Sequence, residues 1–188
     1  MTGHLEGKRV AIVGTDGFEQ SELLKPLAAL REAGAEVDVV SLKTGQIQGM
    51  VHDQKGETVE VDLVFGTADP ADYDALVLPG GVANPDKLRT QADAVDFVDA
   101  FVKAGKPIAA ICHGPWTLIE TDLLPGKRVT SWPSLKTDLH NAGAIWVDET
   151  VVRDGNLVTS RKPDDLPDFC RETIAMIAEA DQDSIAAE

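Results

Sequence analysis

Cysteine is scarce in this sequence: only Cys112 and Cys170 occur in 188 residues, too few and too far apart for a disulfide framework or a zinc ribbon. Both are read as reduced thiols. No apolar run approaches the length of a membrane span. The opening MTGHLEGKRVAIVG lacks the hydrophobic region and small-residue cleavage pattern of a secretory signal. Basic residues are outnumbered, 17 Lys and Arg against 32 Asp and Glu for a formal charge of -15, which argues against nucleic-acid phosphates or an anionic membrane face as partners. A soluble cytoplasmic protein is expected. There is no internal repeat or low-complexity tract, and the final AEADQDSIAAE reads as a fraying acidic tail. The length supports one sizeable core, hence one domain spanning residues 1–188.

What is present is an alternation of short apolar runs and helix-period segments. KRVAIVG is β-branched and ends in glycine, and the stretch after it repeats Phe18, Leu23, Leu27 and Leu30 at helical spacing. Gly34 supplies the stop, and VDVVSL reads as the next buried strand. Residues 45–64 suit a small hairpin excursion. DALVLPGG, the helix-like ADAVDFVDAFVKAG and KPIAAICHGP follow, then RVTSW as strand, SLKTDLHNAG as helix, IWVDETVVRDGNLVTS as paired strands and DDLPDFCRETIAMIAEA as a closing helix. The pattern predicts an α/β fold, a doubly wound three-layer α/β/α sandwich with a mostly parallel sheet. Ligands in such folds bind beyond the carboxyl ends of the strands, which singles out residues 15–22, 79–86 and 112–116.

The third of these, AAICHGP, runs an apolar strand directly into Cys112-His113-Gly114-Pro115. Gly114 permits a tight turn and Pro115 suits a first helical turn, so an elbow is expected, with helix dipole and backbone N–H groups favouring thiolate. A buried structural cysteine is the alternative, and it is the reading given to Cys170 within its amphipathic helix. His113 is placed to exchange a proton with the thiol. Neighbours on a regular strand point to opposite faces, so the pairing requires distorted backbone. No second cluster with metal-ligand spacing accompanies them, and no metal or cofactor is expected. His4, His52 and His140 are read as solvent-facing. Gly80 and Gly81 can bring backbone N–H groups close to a ligand, and the N–H groups of Gly81 and His113 could form an oxyanion hole. In FEQSEL, Glu19 and Glu22 lie three apart. Either, if protonated, could donate to the sulfur, which implies a raised carboxyl pKa.

FEQSEL, LPGG followed by NPDKLR, AAICHGP, and NAGAIWVDETVVRDGNLVTSRKPDDLP together resemble the PfpI-like intracellular cysteine peptidase and general stress protein family, of the class I glutamine amidotransferase-like superfamily and related to the Parkinsonism-associated deglycase. The resemblance covers roughly residues 8–178. It implies a flavodoxin-like sandwich in a homodimer or higher homo-oligomer, with Cys112 as nucleophile and His113 beside it. The family's acidic residue that reaches a neighbouring subunit's histidine falls on Asp86, where glutamate is usual. Its glutamate beside the sulfur falls on Glu22, with Glu19 second. Trp116 stands where glutamine is frequent, and Trp132 is a second candidate wall residue.

The resemblance implies three activities that one site can serve: cleavage of peptides, conversion of methylglyoxal to lactate, and repair of early glycation adducts. Small reactive-carbonyl or glycated substrates are favoured, because a short chain offers little room for a polypeptide groove. A redox sensor or holdase acting through oxidation of Cys112 is the competing class.

Overall fold

The computed structural model of the chain describes residues 5–185; His4 lies outside them. The first half holds β1 (Arg9–Val13), β2 (Phe18–Glu19), α1 (Gln20–Glu32), β3 (Glu36–Ser41), β4 (Gln46–Val51), β5 (Gln54–Glu60), β6 (Leu63–Val64) and β7 (Ala75–Leu78). Then come α2 (Ala83–Leu88), α3 (Ala92–Lys103), β8 (Ile108–Ile111), α4 (Pro115–Leu118) and β9 (Arg128–Val129). The chain continues with α5 (Lys136–Asn141), β10 (Ile145–Trp146), β11 (Val151–Asp154), β12 (Leu157–Ser160) and α6 (Leu166–Ile185). Among the described residues no helix is long and apolar enough to cross a membrane.

The main sheet runs β11-β12-β8-β7-β1-β3-β6 and is parallel except for the β11–β12 hairpin. Its central strands are short and, apart from Arg9 at the start of β1, apolar because both faces are covered, as parallel sheets require. Alternation divides their side chains between two cores. Val10, Ile12, Val77 and Ile111 pack with Leu23 and Leu30 of α1 and Phe169 and Met176 of α6. Ala11, Val13, Leu76 and Ile108 pack with Leu88 of α2, Phe97 and Phe101 of α3 and Leu139 of α5. The expected three-layer α/β/α sandwich is thus present. The chain leaves β1 toward β3 and β6 on one side, then returns to lay β7 and β8 on the other, so the strand order reverses between β1 and β7. The carboxyl ends of β1, β7 and β8 meet at that crevice.

Local departures from the sequence reading have identifiable causes. Phe18 is not the first residue of the helical stripe: it pairs through β2 with Gly49 of β4, and α1 begins at Gln20. The hairpin expected over residues 45–64 is β4 and β5, while Leu63 and Val64 already return to the main sheet beside β3. RVTSW contributes only two strand residues, which pair with β10 outside the main sheet. Beyond them the N–H of Thr130 goes to the Thr159 hydroxyl and that of Trp132 to the Cys112 carbonyl, so no ladder continues. Between the third strand and the next long helix, Ala83–Leu88 form a further short helix, α2, to which the sequence reading gives no element. Helical backbone continues through Ile185 into the segment expected to fray.

Close approach at the crevice demands glycine. The Gly114 N–H donates to the Ile111 carbonyl at 2.8 Å, and a Cβ on Gly114 would lie 2.4 Å from the Leu78 carbonyl oxygen. Gly114→Ala is therefore expected to lower the unfolding free energy by about 2–3 kcal/mol, as backbone must move to relieve the overlap. Gly66→Ala, where a Cβ meets nothing within 4 Å, should stay within about 0.5 kcal/mol. Urea unfolding of the two variants checks the contrast.

Candidate active site

Cys112 ends β8 and takes a left-handed backbone conformation, φ +62°, which β-carbon sterics disfavour for any residue but glycine. Two hydrogen bonds hold it there: its N–H donates to the Ser160 carbonyl and its own carbonyl accepts from the Trp132 N–H, each at 3.0 Å. The distortion cancels strand alternation, so Sγ and Nδ1 of the adjacent His113 stand 3.3 Å apart on the same side. This is the elbow that AAICHGP implies. The helix after it is a single turn, Pro115–Leu118, so a macrodipole is not what acts on the sulfur. Individual amides are: the backbone N–H groups of Gly81 and His113 hold the Cys112 thiol below where burial alone would put it.

Glu22 lies in the first turn of α1 and is fully buried. Its Oε2 accepts the Gly80 N–H at 2.9 Å, while Oε1 has no hydrogen-bond partner. A buried carboxylate oxygen without a donor is costly, and a neutral carboxyl costs much less. Burial pushes this carboxyl up to about 8, with hydrogen bonds from Cys112 and from the Gly80 and Gly81 amides opposing the rise and Glu19 adding to it. A rise from 4.5 to about 8 corresponds to about 5 kcal/mol, whereas a first-turn carboxylate gains only about 0.3–1 kcal/mol from a helix dipole. Desolvation wins, and Glu22 is protonated at neutral pH. Burial and any charge on Glu22 also push the Cys112 thiol up, against the Gly81 and His113 amides. A proton on Glu22 removes that repulsion. The two groups therefore do not carry negative charge together, and their titrations are coupled.

Burial holds the His113 imidazole below its ordinary value, so the ring is neutral at pH 7. Trp132 stacks on it at 6.1 Å between centroids, Trp116 meets it edge-on at 5.3 Å, and its Nε2 lies 3.4 Å from the Ser134 hydroxyl. Gly80 and Gly81 are sterically obligatory: a Cβ on Gly80 would sit 2.5 Å from Glu22 Oε2 and 2.7 Å from Cys112 Cβ, and one on Gly81 would sit 2.3 Å from the Gly17 carbonyl.

A cleft of about 180 Å³ opens over the sulfur. Its floor is Glu22, Gly81, Cys112 and His113, and its rim is Glu19, His52, Val82, Trp132 and Pro163. The structure thus brings Cys112, His113, Glu22 and Gly81 together and puts Glu19 and Trp132 at the rim. Trp116 is not on the cleft: it packs behind His113, donates to Asp138 at 2.9 Å and carries Arg89 over its ring. Asp86 is exposed on α2, and the ring nitrogens of His113 face Cys112 and Ser134 instead. Cys170 is half-buried on α6, and burial pushes its thiol up to about 11, which fits a structural role. Among the described residues no three His, Cys, Asp or Glu side chains gather to hold a metal ion.

Three contributors were not singled out from sequence. Asn84 is fully buried. Its side chain accepts the Thr15 N–H and donates to the Pro79 and Gly80 carbonyls, so it clamps the β1 and β7 loops and orients the Gly80-Gly81 amides. Its only sequence signal was Asn-Pro after Pro-Gly-Gly, which reads as a turn. Ser134 reaches His113 across 21 positions with no local signal. His52, read as solvent-facing, is exposed yet stands on the cleft rim.

Fold and site together define a doubly wound α/β protein with a buried thiol at a strand-end elbow, flanked by a protonated glutamate and a neutral imidazole. The chain belongs to the DJ-1/PfpI family, whose model matches residues 8–176. A Pyrococcus abyssi protein named as a deglycase is 47% identical over 169 residues, 90% of this chain and 99% of the relative. General stress protein 18 of Bacillus subtilis is 43% identical over 173 residues, covering 91% and 98%. Among solved structures, the two-domain Anabaena variabilis protein with DJ-1/ThiJ/PfpI-like and ferritin-like domains superposes with a TM-score of 0.84 at 38% identity, over 89% of this chain and 47% of that one. The flavodoxin-like sandwich implied by the sequence motifs is thereby shared with solved family members.

The Glu22 proton has a testable consequence. Below about 8 Glu22 is uncharged and can donate a hydrogen bond toward the sulfur, and above it the carboxylate repels a thiolate. Glu22→Leu should therefore slow alkylation of Cys112 by iodoacetamide about tenfold at pH 7, the scale of one hydrogen bond to a charged group. The deficit should shrink as pH rises through about 8. Glu22→Gln, which keeps an N–H donor, should slow it less. Equal alkylation rates for wild type and Glu22→Leu across the range would remove Glu22 from this role.

Proposed function

We propose that this protein is a cysteine-dependent enzyme acting on reactive carbonyls and their early amine adducts, of deglycase or cofactor-independent glyoxalase type. The observation that carries the reading is the Cys112 sulfur at the floor of a small cleft, 3.3 Å from a neutral imidazole nitrogen and faced by the Gly81 and His113 amides. His113 Nδ1 takes the thiol proton, and the thiolate adds to the aldehyde-derived carbon. From a carbinolamine formed by an amine and methylglyoxal, that addition expels the amine, which leaves with a proton. From free methylglyoxal it forms the same hemithioacetal directly. His113 then carries the proton from the thiol-bearing carbon to the neighbouring ketone carbon, while backbone amides hold the charge developing on oxygen. The product is a lactate thioester, which water hydrolyses to lactate and free Cys112. The net change adds one water and needs no redox partner.

A cleft of about 180 Å³ suits a three-carbon adduct better than an extended polypeptide, which favours carbonyl chemistry over peptide cleavage. Cys112 is only 7% exposed, unlike the accessible thiol that oxidation sensing favours. The deglycase name of the Pyrococcus abyssi relative and the stress-protein name of the Bacillus subtilis relative point the same way.

Wild type should convert methylglyoxal and methylglyoxal-treated Nα-acetylarginine to lactate. Cys112→Ala and His113→Ala should each lose about 10³-fold or more in kcat/KM. Lactate formation measured by an enzyme-coupled assay decides this. No turnover by wild type, together with stoichiometric oxidation of Cys112 by mild peroxide and protection of a client protein, would replace the enzyme with the redox reading.

Asp86, exposed on α2, is assigned to the His113 of a second copy in a homodimer or larger assembly. Mixing Cys112→Ala with Asp86→Ala chains should then restore activity absent or weak in either alone, because a mixed pair assembles one complete site. Activity no greater than the sum of the separate variants would place the Asp86 effect within its own chain or nowhere.

A further inference from the structure

Two non-glycine residues among those described have a positive φ: Cys112, and His52 at +58°. His52 and Asp53 are the two-residue loop joining β4 to β5. Glycine or asparagine is the ordinary choice for a left-handed position in such a turn. The cost of imidazole there is not offset by packing, because His52 is exposed. Non-glycine residues at positive φ are uncommon and cluster at functional sites, and here the residue lines the Cys112 cleft. The tip is also tied to the site: the His52 N–H donates to Glu19 Oε2 at 3.1 Å, and Glu19 lines the same rim.

The rim is chemically divided. Val82, Trp132 and Pro163 make it apolar on one part, and Glu19 and His52 supply its polar side chains. The floor already accounts for the reacting carbon and its oxygen. The nitrogen of an amine adduct, and the residue it belongs to, must leave through the mouth past these two groups. A carboxylate accepts N–H hydrogen bonds and attracts ammonium or guanidinium charge, and an imidazole can accept or donate beside it.

Resting on the carbonyl-adduct reading above, we propose that His52, held on a strained hairpin tip, is a specificity-determining residue that with Glu19 grips the amine side of the substrate. The pair makes the site selective for aldehyde adducts of cationic amines over free dicarbonyl, which is too short to engage the rim from the floor.

The test compares substrates in one variant. In His52→Gly the turn is relieved, so the thermal midpoint should hold or rise. The ratio of kcat/KM for the methylglyoxal adduct of Nα-acetylarginine to that for free methylglyoxal should fall about tenfold, the scale of one lost hydrogen bond to a charged group. His52→Asn, which tolerates the left-handed turn and keeps a shorter polar group, should fall between, and Glu19→Gln should lower the same ratio. An unchanged ratio in His52→Gly overturns the proposal, as does a lowered thermal midpoint with both activities reduced alike, which would make His52 structural. Absence of Cys112-dependent turnover of either substrate by wild type is a different failure: it overturns the carbonyl-adduct reading itself.

Discussion

The site depends on one constraint, the left-handed backbone at Cys112. A cysteine continuing β8 regularly would put its sulfur and the His113 ring on opposite faces of the sheet. At φ +62° both side chains face the same crevice. That conformation is unfavourable in itself and holds because neighbouring strands over-determine it, through Ser160 at the end of β12 and Trp132 beyond β9. The glycines follow from the same constraint. The turned chain at residues 112–114 presses against the ends of β7 and β8 so closely that Gly80 and Gly114 have no room for a β-carbon. Asn84 then holds the Pro79-Gly80 carbonyls so that the following amides point at sulfur and at Glu22.

Electrostatics completes what the backbone begins. Fixed amides and one proton are the means. Burial would suppress ionisation of Cys112 and Glu22 alike, yet their requirements are complementary: protonated, Glu22 tolerates an oxygen with no donor, and the sulfur gains a neutral neighbour in place of a charged one. The imidazole is kept neutral by the same burial, which suits it to receive a proton. Because the amides are anchored by sheet and loop hydrogen bonds, they need no reorganisation when charge moves from sulfur to a substrate oxygen.

Much of this was legible in the chain. Continuous apolar runs such as IAAI and ALVL mark strands buried on both faces, and those of β1, β7 and β8 end in the glycine- or cysteine-bearing turns that converge at the crevice. Cys112 and His113 were identifiable because Cys-His-Gly-Pro is unusual after an apolar strand, Gly81 because it ends one, and Glu22 rather than Glu19 only through the resemblance to the family. What was not legible was non-local. Phe18 has helical spacing, but a backbone partner in β4 claims it. RVTSW has strand composition, but Thr159 and Cys112 take its hydrogen bonds. Asn84 and Ser134 act over distances of tens of residues. Trp116 looked like a wall because of its size, yet packing turns it behind the imidazole. The helix dipole expected at the elbow fails for a simpler reason: one turn of helix sums too few peptide dipoles.

The two left-handed residues also differ in how firmly they are held, and that difference divides the labour of the cleft. Cys112 is almost wholly buried, with its N–H bonded to the end of β12 and its carbonyl to the segment beyond β9. His52 is exposed at the end of a two-strand projection, with a side-chain carboxylate receiving its N–H. A reacting atom needs fixed geometry, since small displacements are costly to the rate. A recognition element serves a range of adducts better if it can shift. The nucleophile stands at the junction of β7, β8 and β12, whereas His52 tips the peripheral β4–β5 hairpin and Glu19 lies on β2 paired beside it. The same division places the strongly desolvated groups on the floor and leaves Glu19 half-buried at the rim.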